Sequence, residues 1–205
     1  MQYAYGLDIN SSFTGEDLLY AGIETGNASG PLAELDSAVE GDSSLVIHSL
    51  YYTFPVGDIS ITGGPLVDQD DVVAATLSAH SEGFRLGSMP YSLDGDLTGP
   101  GIGVAYDAGS GFVASASFVS IDGTSANIGI NSDSGDDVAT FTAGYNGDGF
   151  GGGIVYANHD GENSSTTAYD TFGGGIYYSP ESIPATISVS YDTKDPDGTE
   201  QERSD

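Results

Sequence analysis

The chain has 205 residues, of which 31 are Asp or Glu and three are basic, Arg85, Lys194 and Arg203, for a formal net charge of −28 at pH 7. That balance excludes nucleic acid and anionic lipid headgroups as partners, because phosphate is held by Lys and Arg, and it favours cations by the same Coulombic logic. Cysteine is absent, so there is no disulfide framework and no thiolate chemistry, and no run approaches the ~20 apolar residues of a membrane helix.

The length fits one domain, and 38% hydrophobic content in regular alternation argues against disorder. A salt-adapted surface accounts for the charge as readily as a cation-binding role does. The opening Met1-Gln2-Tyr3-Ala4-Tyr5 has neither a basic nor an apolar region, so no signal peptide is expected there.

Tyr3, Tyr5, Leu7 and Ile9 alternate with Ala4, Gly6, Asp8 and Asn10, which is strand patterning. After a turn at Thr14-Gly15-Glu16, Leu19, Ala21 and Ile23 face away from Tyr20, Gly22 and Glu24. A polar connection, 27–43, leads to the hairpin that organises the chain, Leu45 to Pro65. There Leu50, Tyr52, Phe54, Ile59 and Ile61 share one face and Ser49, Tyr51, Thr53, Ser60 and Thr62 the other. Its turn is expected at Pro55-Val56-Gly57-Asp58, with Pro55 stopping the first strand.

A long connection, 67–99, follows, and then Ile102, Val104 and Tyr106 alternate with Gly101, Gly103 and Ala105. Tight turns are expected at 107–110 and at Asn146-Gly147-Asp148-Gly149, and longer connections at 122–136 and 158–167. The strands between them carry Phe112, Phe118, Phe141, Phe150, Ile154, Tyr156, Phe172, Ile176 and Tyr178. After 179–184 a last strand has Ala185, Ile187, Val189 and Tyr191 opposite Thr186, Ser188, Ser190 and Asp192, and 194–205 is a polar tail.

About ten strands of ~10 residues are the length that tilted membrane strands need, and the connections alternate short and long throughout. This predicts an antiparallel up-and-down transmembrane β-barrel over residues 1–193, with the short turns on one rim and the long connections on the other. Leu7, Ile9, Leu50, Tyr52, Phe54, Ile102, Val104, Phe118, Ile154, Ile176 and Val189 should then face lipid. The opposite faces are Gly, Ala, Ser and Thr, too small to fill a barrel, so an open lumen is expected. The alternative is a secreted or cell-surface β-sandwich, an adhesion or calcium-binding module burying the same apolar faces between two sheets.

Ser12-Phe13-Thr14-Gly15-Glu16-Asp17-Leu18-Leu19 with Gly26-Asn27, and Leu50-Tyr51-Tyr52-Thr53-Phe54-Pro55-Val56-Gly57-Asp58, resemble the cyanobacterial outer-membrane porins known as iron-uptake porins and related to carbohydrate-selective porins. The likeness runs from the early strands to roughly residue 193. It implies an outer-membrane β-barrel pore for small hydrophilic solutes and inorganic ions, not an enzyme, with iron uptake among its roles and a homotrimer as the complete assembly. Members of that family usually carry a signal peptide, a wall-anchoring domain and a coiled-coil spacer ahead of the barrel, so this sequence is expected to be a barrel fragment of a larger porin. Tyr20 and Gly22 stand where members often have basic residues, and Arg85 alone is basic in the long connection.

The pore constriction is expected in the 67–99 connection, with Val72 to His80 as a short helical turn inside the lumen, or else lying over the rim. Its charged residues are Asp68, Asp70, Asp71, Glu82, Asp94 and Asp96, with Arg85 as counter-charge. Asp68, Asp70 and Asp71, and separately Asp133, Asp136 and Asp137, are oxygen-rich clusters, but neither has EF-hand spacing, and solvated carboxylates are the default. His48, His80 and His159 have no metal-ligand spacing, and no Ser/His/Asp grouping fits a nucleophile elbow; no metal, cofactor or catalytic residue is expected.

Overall fold

The structure is a computed structural model, and it describes residues 1–33, 38–39, 41, 43–77, 97–132, 134–161, 168–182 and 184–196. Among the described residues ten strands form one sheet in sequential order, β1-β2-β3-β4-β5-β6-β7-β8-β9-β10. They are β1 (Ala4–Ser11), β2 (Leu18–Gly26), β3 (Val46–Val56), β4 (Ile59–Asp68), β5 (Thr98–Asp107), β6 (Phe112–Ser120), β7 (Asp136–Gly147), β8 (Phe150–Gly161), β9 (Tyr169–Tyr178) and β10 (Ile187–Pro196). Every neighbouring pair is antiparallel. The described residues form a sequential meander in one sheet with no second sheet packed against it, which is not the two-sheet sandwich of the alternative. The sheet is not closed: β1 and β10 are its two edges.

Cross-strand partners share a face, so the ladders can be read as rows. One row runs Phe54, Ile61, Val104, Ala116, Phe141, Tyr156, Phe172, Thr193 from β3 to β10. The next outward row runs Val56, Ile59, Tyr106, Ala114, Ala143, Ile154, Gly174, Tyr191. Neither contains a charged residue, in a chain with 31 acids. The side chains on this face are exposed: Ile102 is 58%, Ile154 54% and Ile176 68% accessible. Beside the first of these rows, on the side away from the Gly57-Asp58 turn, an inward row runs Thr53, Thr62, Gly103, Ser117, Thr140, Ala157, Thr171, Lys194.

Three details depart from the sequence pattern. The hairpin turn is only Gly57-Asp58, with Val56 paired to Ile59 and Gly57 at φ +64°. Pro55 therefore lies within β3, and its missing N–H breaks no ladder because β2 ends opposite Thr53. A bulge between Gly22 and Ile23 leaves His48 unpaired, so His48 and Ser49 both lie on the inner face, where a Cβ at Gly22 would strike the His48 ring. And β10 continues past Thr193, pairing Lys194 with Thr171.

Candidate functional site

The core of the protein lies between the inner face of the sheet and residues 69–77 of the β4–β5 connection. A further bulge, between Gly64 and Val67, precedes the last two paired residues of β4, Val67 and Asp68. Turn bonds from Asp71 N to the Asp68 carbonyl (3.2 Å) and from Val73 N to the Asp70 carbonyl (3.0 Å) then bend the chain inward. From there it crosses the strands instead of following them. Val72 packs with Val67, Val119, Val138 and Ala157, and Ala75 and Leu77 pack with Val113 and Val155.

Polar side chains of the inner face hold the segment by its backbone. Ser115 Oγ accepts from Ala74 N (3.2 Å), Asn146 Oδ1 accepts from Thr76 N (3.1 Å), and Asn146 Nδ2 donates to the Ala74 carbonyl (3.0 Å). Gln69, 0% exposed, donates to Thr140 Oγ1 at 2.9 Å. The amides of Ala74 and Thr76 are thus taken by side chains of other strands, and residues 72–77 are not the helical turn that the sequence suggested.

Glycines make the room. A Cβ at Gly103 would meet Val72, one at Gly144 or Gly153 would meet Ala75, and one at Gly175 would fall on the Leu77 carbonyl oxygen. The small residues facing inward are therefore a cradle for the chain, and this side of the sheet is packed; the expected open lumen is corrected there.

At the start of the segment the acids Asp68, Asp70 and Asp71 come together. Among the described residues they are the one group of potential metal ligands whose donor atoms all lie within 4.8 Å of one another. Asp68 accepts from Ser49 Oγ (2.9 Å) and from Thr98 Oγ1, and lies 3.9 Å from His48 Nδ1. Asp71 accepts from the backbone N–H of Asp68 (2.8 Å) and from the Tyr51 hydroxyl. The Tyr51 ring lies 5.1 Å from that of Tyr20, tilted by 35°, and the Tyr20 hydroxyl donates to Asp8 (2.7 Å), so a polar aromatic ladder joins this corner to the β1 edge. Arg85, Glu82, Asp94 and Asp96, and with them His80, lie outside the described residues.

Burial pushes the Asp71 carboxyl up to about 6, with Asp68 and Asp70 adding repulsion. A carboxyl raised in the packed state favours packing when protonated. That contribution is full below the ordinary value of 3.8 and is lost as pH rises through about 6. The effect is on the order of 1–2 kcal/mol, since the group is partly exposed and screened. Amide exchange at Ala74 and Thr76, corrected for intrinsic rate, should therefore quicken from pH 4 to pH 6.5, and Asp71→Asn should flatten that dependence. An unchanged dependence in the variant would mean that another group sets it.

The two motifs behind the porin resemblance meet on the short-turn rim. Asp17 accepts from Ser12 Oγ (2.5 Å), from the amides of Phe13 (3.0 Å) and Thr14 (2.8 Å), from Thr14 Oγ1 (2.8 Å), and from the Tyr52 hydroxyl. These donors, Ser12 and Tyr52 foremost, hold its carboxyl well below the usual carboxylate range. Ser12, Phe13, Thr14, Asp17 and Tyr52 brace the β1–β2 turn against β3, whereas Tyr51 of the second motif turns inward to Asp71.

His159, which the sequence pattern put in or beside a loop, is buried on the inner face of β8. Its ring stacks on Tyr169 at 4.0 Å, and Lys194 Nζ lies 3.6 Å from the centre of the Tyr169 ring on the other strand flank. Sequence reasoning missed Gln69, Ser115, Thr140 and Asn146. The one signal for the cradle was the recurrence of glycine at inward-facing positions, Gly103, Gly144, Gly153 and Gly175, across successive strands. No protein-family model matches the chain, and no curated protein matches it.

Proposed function

We propose that the sheet is the wall of an outer-membrane porin, a channel for passive diffusion of small hydrophilic solutes and inorganic ions with a preference for cations. The observation that carries this reading is an uncharged band on the outward face. A water-soluble single sheet with this charge would spread acids over both faces; here the two outward rows that run from Phe54 to Thr193 and from Val56 to Tyr191 carry no charged residue, and outward acids such as Asp170 and Asp195 stand beyond them, toward the long connections. Phe141, Tyr156 and Phe172 form one outward aromatic row, and Phe150 and Tyr178 another nearer the short turns. Beyond Tyr156 the same face turns polar at Asn158 and Asp170, and the Tyr156 hydroxyl donates to Asp170 (2.9 Å). Apolar surface bounded by aromatics with hydroxyls turned toward the polar rim matches a lipid–water boundary.

The reading requires that the edges β1 and β10 be paired in the membrane, either with each other or with further strands, because open backbone edges are not tolerated in lipid. Residues 69–77 then narrow the path, with Asp68, Asp70 and Asp71 beside it and Arg85 as the sole base of that connection. Iron uptake, a carbohydrate substrate and a homotrimer belong to the resemblance and have no further support in the site.

The test is the reversal potential across a planar bilayer under a salt gradient. Carboxylates beside a narrow path enrich cations even when salt shrinks the Debye length to ~3–10 Å. A cation-selective potential is expected, weakened by Asp68→Asn, Asp70→Asn and Asp71→Asn together and strengthened by Arg85→Glu. An anion-selective potential, or one that neither change moves, would remove this connection from the mechanism.

A further inference from the structure

The β6–β7 connection builds another acidic corner, on the outward side of the long-connection rim. A single 3-10 turn, Ile121–Thr124, leaves β6, and the loop returns to β7 with Asn131 at φ 52°. The Asp122 carboxylate accepts from Asp136 N (3.1 Å). The Asp137 carboxylate is bonded to the Ser120 hydroxyl and the Asn131 amide, and that amide also reaches Ser120 Oγ at 3.4 Å. A Cβ placed on Gly135 would lie 3.4 Å from both Asp122 Cβ and Ser132 Oγ, so residues 122, 132 and 135 crowd the same space.

Two oxygens here are out of place. Asp137 is 6% exposed, and its Oδ1 is buried without a hydrogen-bond partner; the buried Ser132 Oγ has none either. A buried carboxylate oxygen left unpaired is costlier than an unpaired neutral group, because the charge is desolvated as well. The surroundings add to that cost, because Asp122 and Asp160 both repel the Asp137 charge, and Asp160 is its direct partner on β8. The one base among the described residues, Lys194, is on the inner face of β10. A cation would answer both orphan oxygens and the clustered charge at once.

We propose that this corner binds a hard divalent cation, calcium in preference to magnesium, through Asp137 Oδ1, the Ser132 hydroxyl and the Asp122 carboxylate, with water completing the shell. All the donors are oxygen, and calcium accepts irregular, partly hydrated oxygen shells whereas magnesium demands a near-octahedral one. The Asp68-Asp70-Asp71 group is tighter, yet none of its oxygens is among the buried unpartnered atoms. Asp133 lies outside the described residues and is not part of the proposed site.

The test is calorimetric titration of the whole chain with calcium chloride in 0.5 M NaCl, which suppresses diffuse binding to a −28 surface, paired with melting in calcium and in EDTA. One saturable site per chain and a higher melting temperature in calcium are expected, with weaker binding of magnesium. Asp137→Asn should abolish the saturable heat while leaving the chain at least as stable in EDTA as the parent, because it removes a repelled charge. Asp122→Asn should weaken binding tenfold or more, Ser132→Ala less, and Asp148→Asn, in the opposite-rim turn, not at all. A chain without saturable heat, a heat that survives Asp137→Asn, or one lost instead in Asp70→Asn would overturn the assignment.

Discussion

Replacing Gly153 and Gly175 together with valine is expected to expel residues 69–77 from the inner face while leaving the sheet folded. Gly153 is crowded on three sides: a Cβ there would lie 2.6 Å from Ala75 Cβ, 3.0 Å from the Ala143 carbonyl oxygen and 3.3 Å from Leu77 Cδ2. The carbonyl belongs to the β7–β8 ladder and cannot retreat, so the segment must. Overpacking of this kind costs about 1–3 kcal/mol. Against it stand four hydrogen bonds from Gln69, Ser115 and Asn146, each with a net value of about 0.5–1.5 kcal/mol, and the burial of Val72, Ala75 and Leu77. A second clash, Gly175→Val against the Leu77 carbonyl, tips the balance with Gly153→Val. Amide exchange at Ala74 and Thr76 should then quicken by tenfold or more, whatever the protein does in a membrane. In a bilayer the same double variant should raise unitary conductance severalfold. Gly6→Val, where nothing lies within 4 Å of the new Cβ, is the control and should change neither. Protection of those amides unchanged in the double variant would show that the cradle does not hold the segment.

The alternation of residues such as Tyr5, Leu7 and Ile9 or Ile102 and Val104 made the strands, their faces and the order of the rims legible, because a period of two is a local property. The inward course of 69–77 was not, because each of its bonds joins residues far apart in the chain: Gln69 to Thr140, Ala74 to Ser115, Thr76 to Asn146. Seen singly, those polar residues are indistinguishable from solvated ones. The bulge at Gly22 was hidden for a different reason. An extra residue in β3 keeps the local pattern intact on either side and only shifts the register, which one strand alone does not reveal. In the sequence Gly103, Gly144, Gly153 and Gly175 suggest an empty interior, since they lack side chains of their own; what they lack is filled by a segment from elsewhere in the chain. Asp17 carries no local signal beyond its motif, and its bond to Tyr52 makes that motif a brace.

The outward face gives the other large effect, because water and lipid make opposite demands of one substitution. Ile154 and Ile176 lie between the Tyr156–Phe172 and Phe150–Tyr178 rows, where the proposed lipid contact would be deepest. In water an exposed isoleucine replaced by arginine changes stability by about 0.5 kcal/mol or less, since the new charge stays solvated. On a barrel wall the same charge must be drawn into hydrocarbon, at about 2–4 kcal/mol near the midplane and 0–1 kcal/mol at the interface. Ile154→Arg and Ile176→Arg are therefore each expected to lower the equilibrium constant for folding into lipid roughly 30- to 700-fold relative to the parent, at about 1.4 kcal/mol per decade. Ser190 is the internal comparison: it is exposed too, but on the inward face of β10 opposite Gly175, where arginine would meet water. Ser190→Arg should be close to neutral in the same vesicles. Urea titrations of folding into phosphatidylcholine vesicles measure all three. Equal, small effects at Ile154, Ile176 and Ser190 would place both faces in water and end the porin reading, whereas a large loss confined to the two isoleucines would fix which side of the sheet meets the membrane.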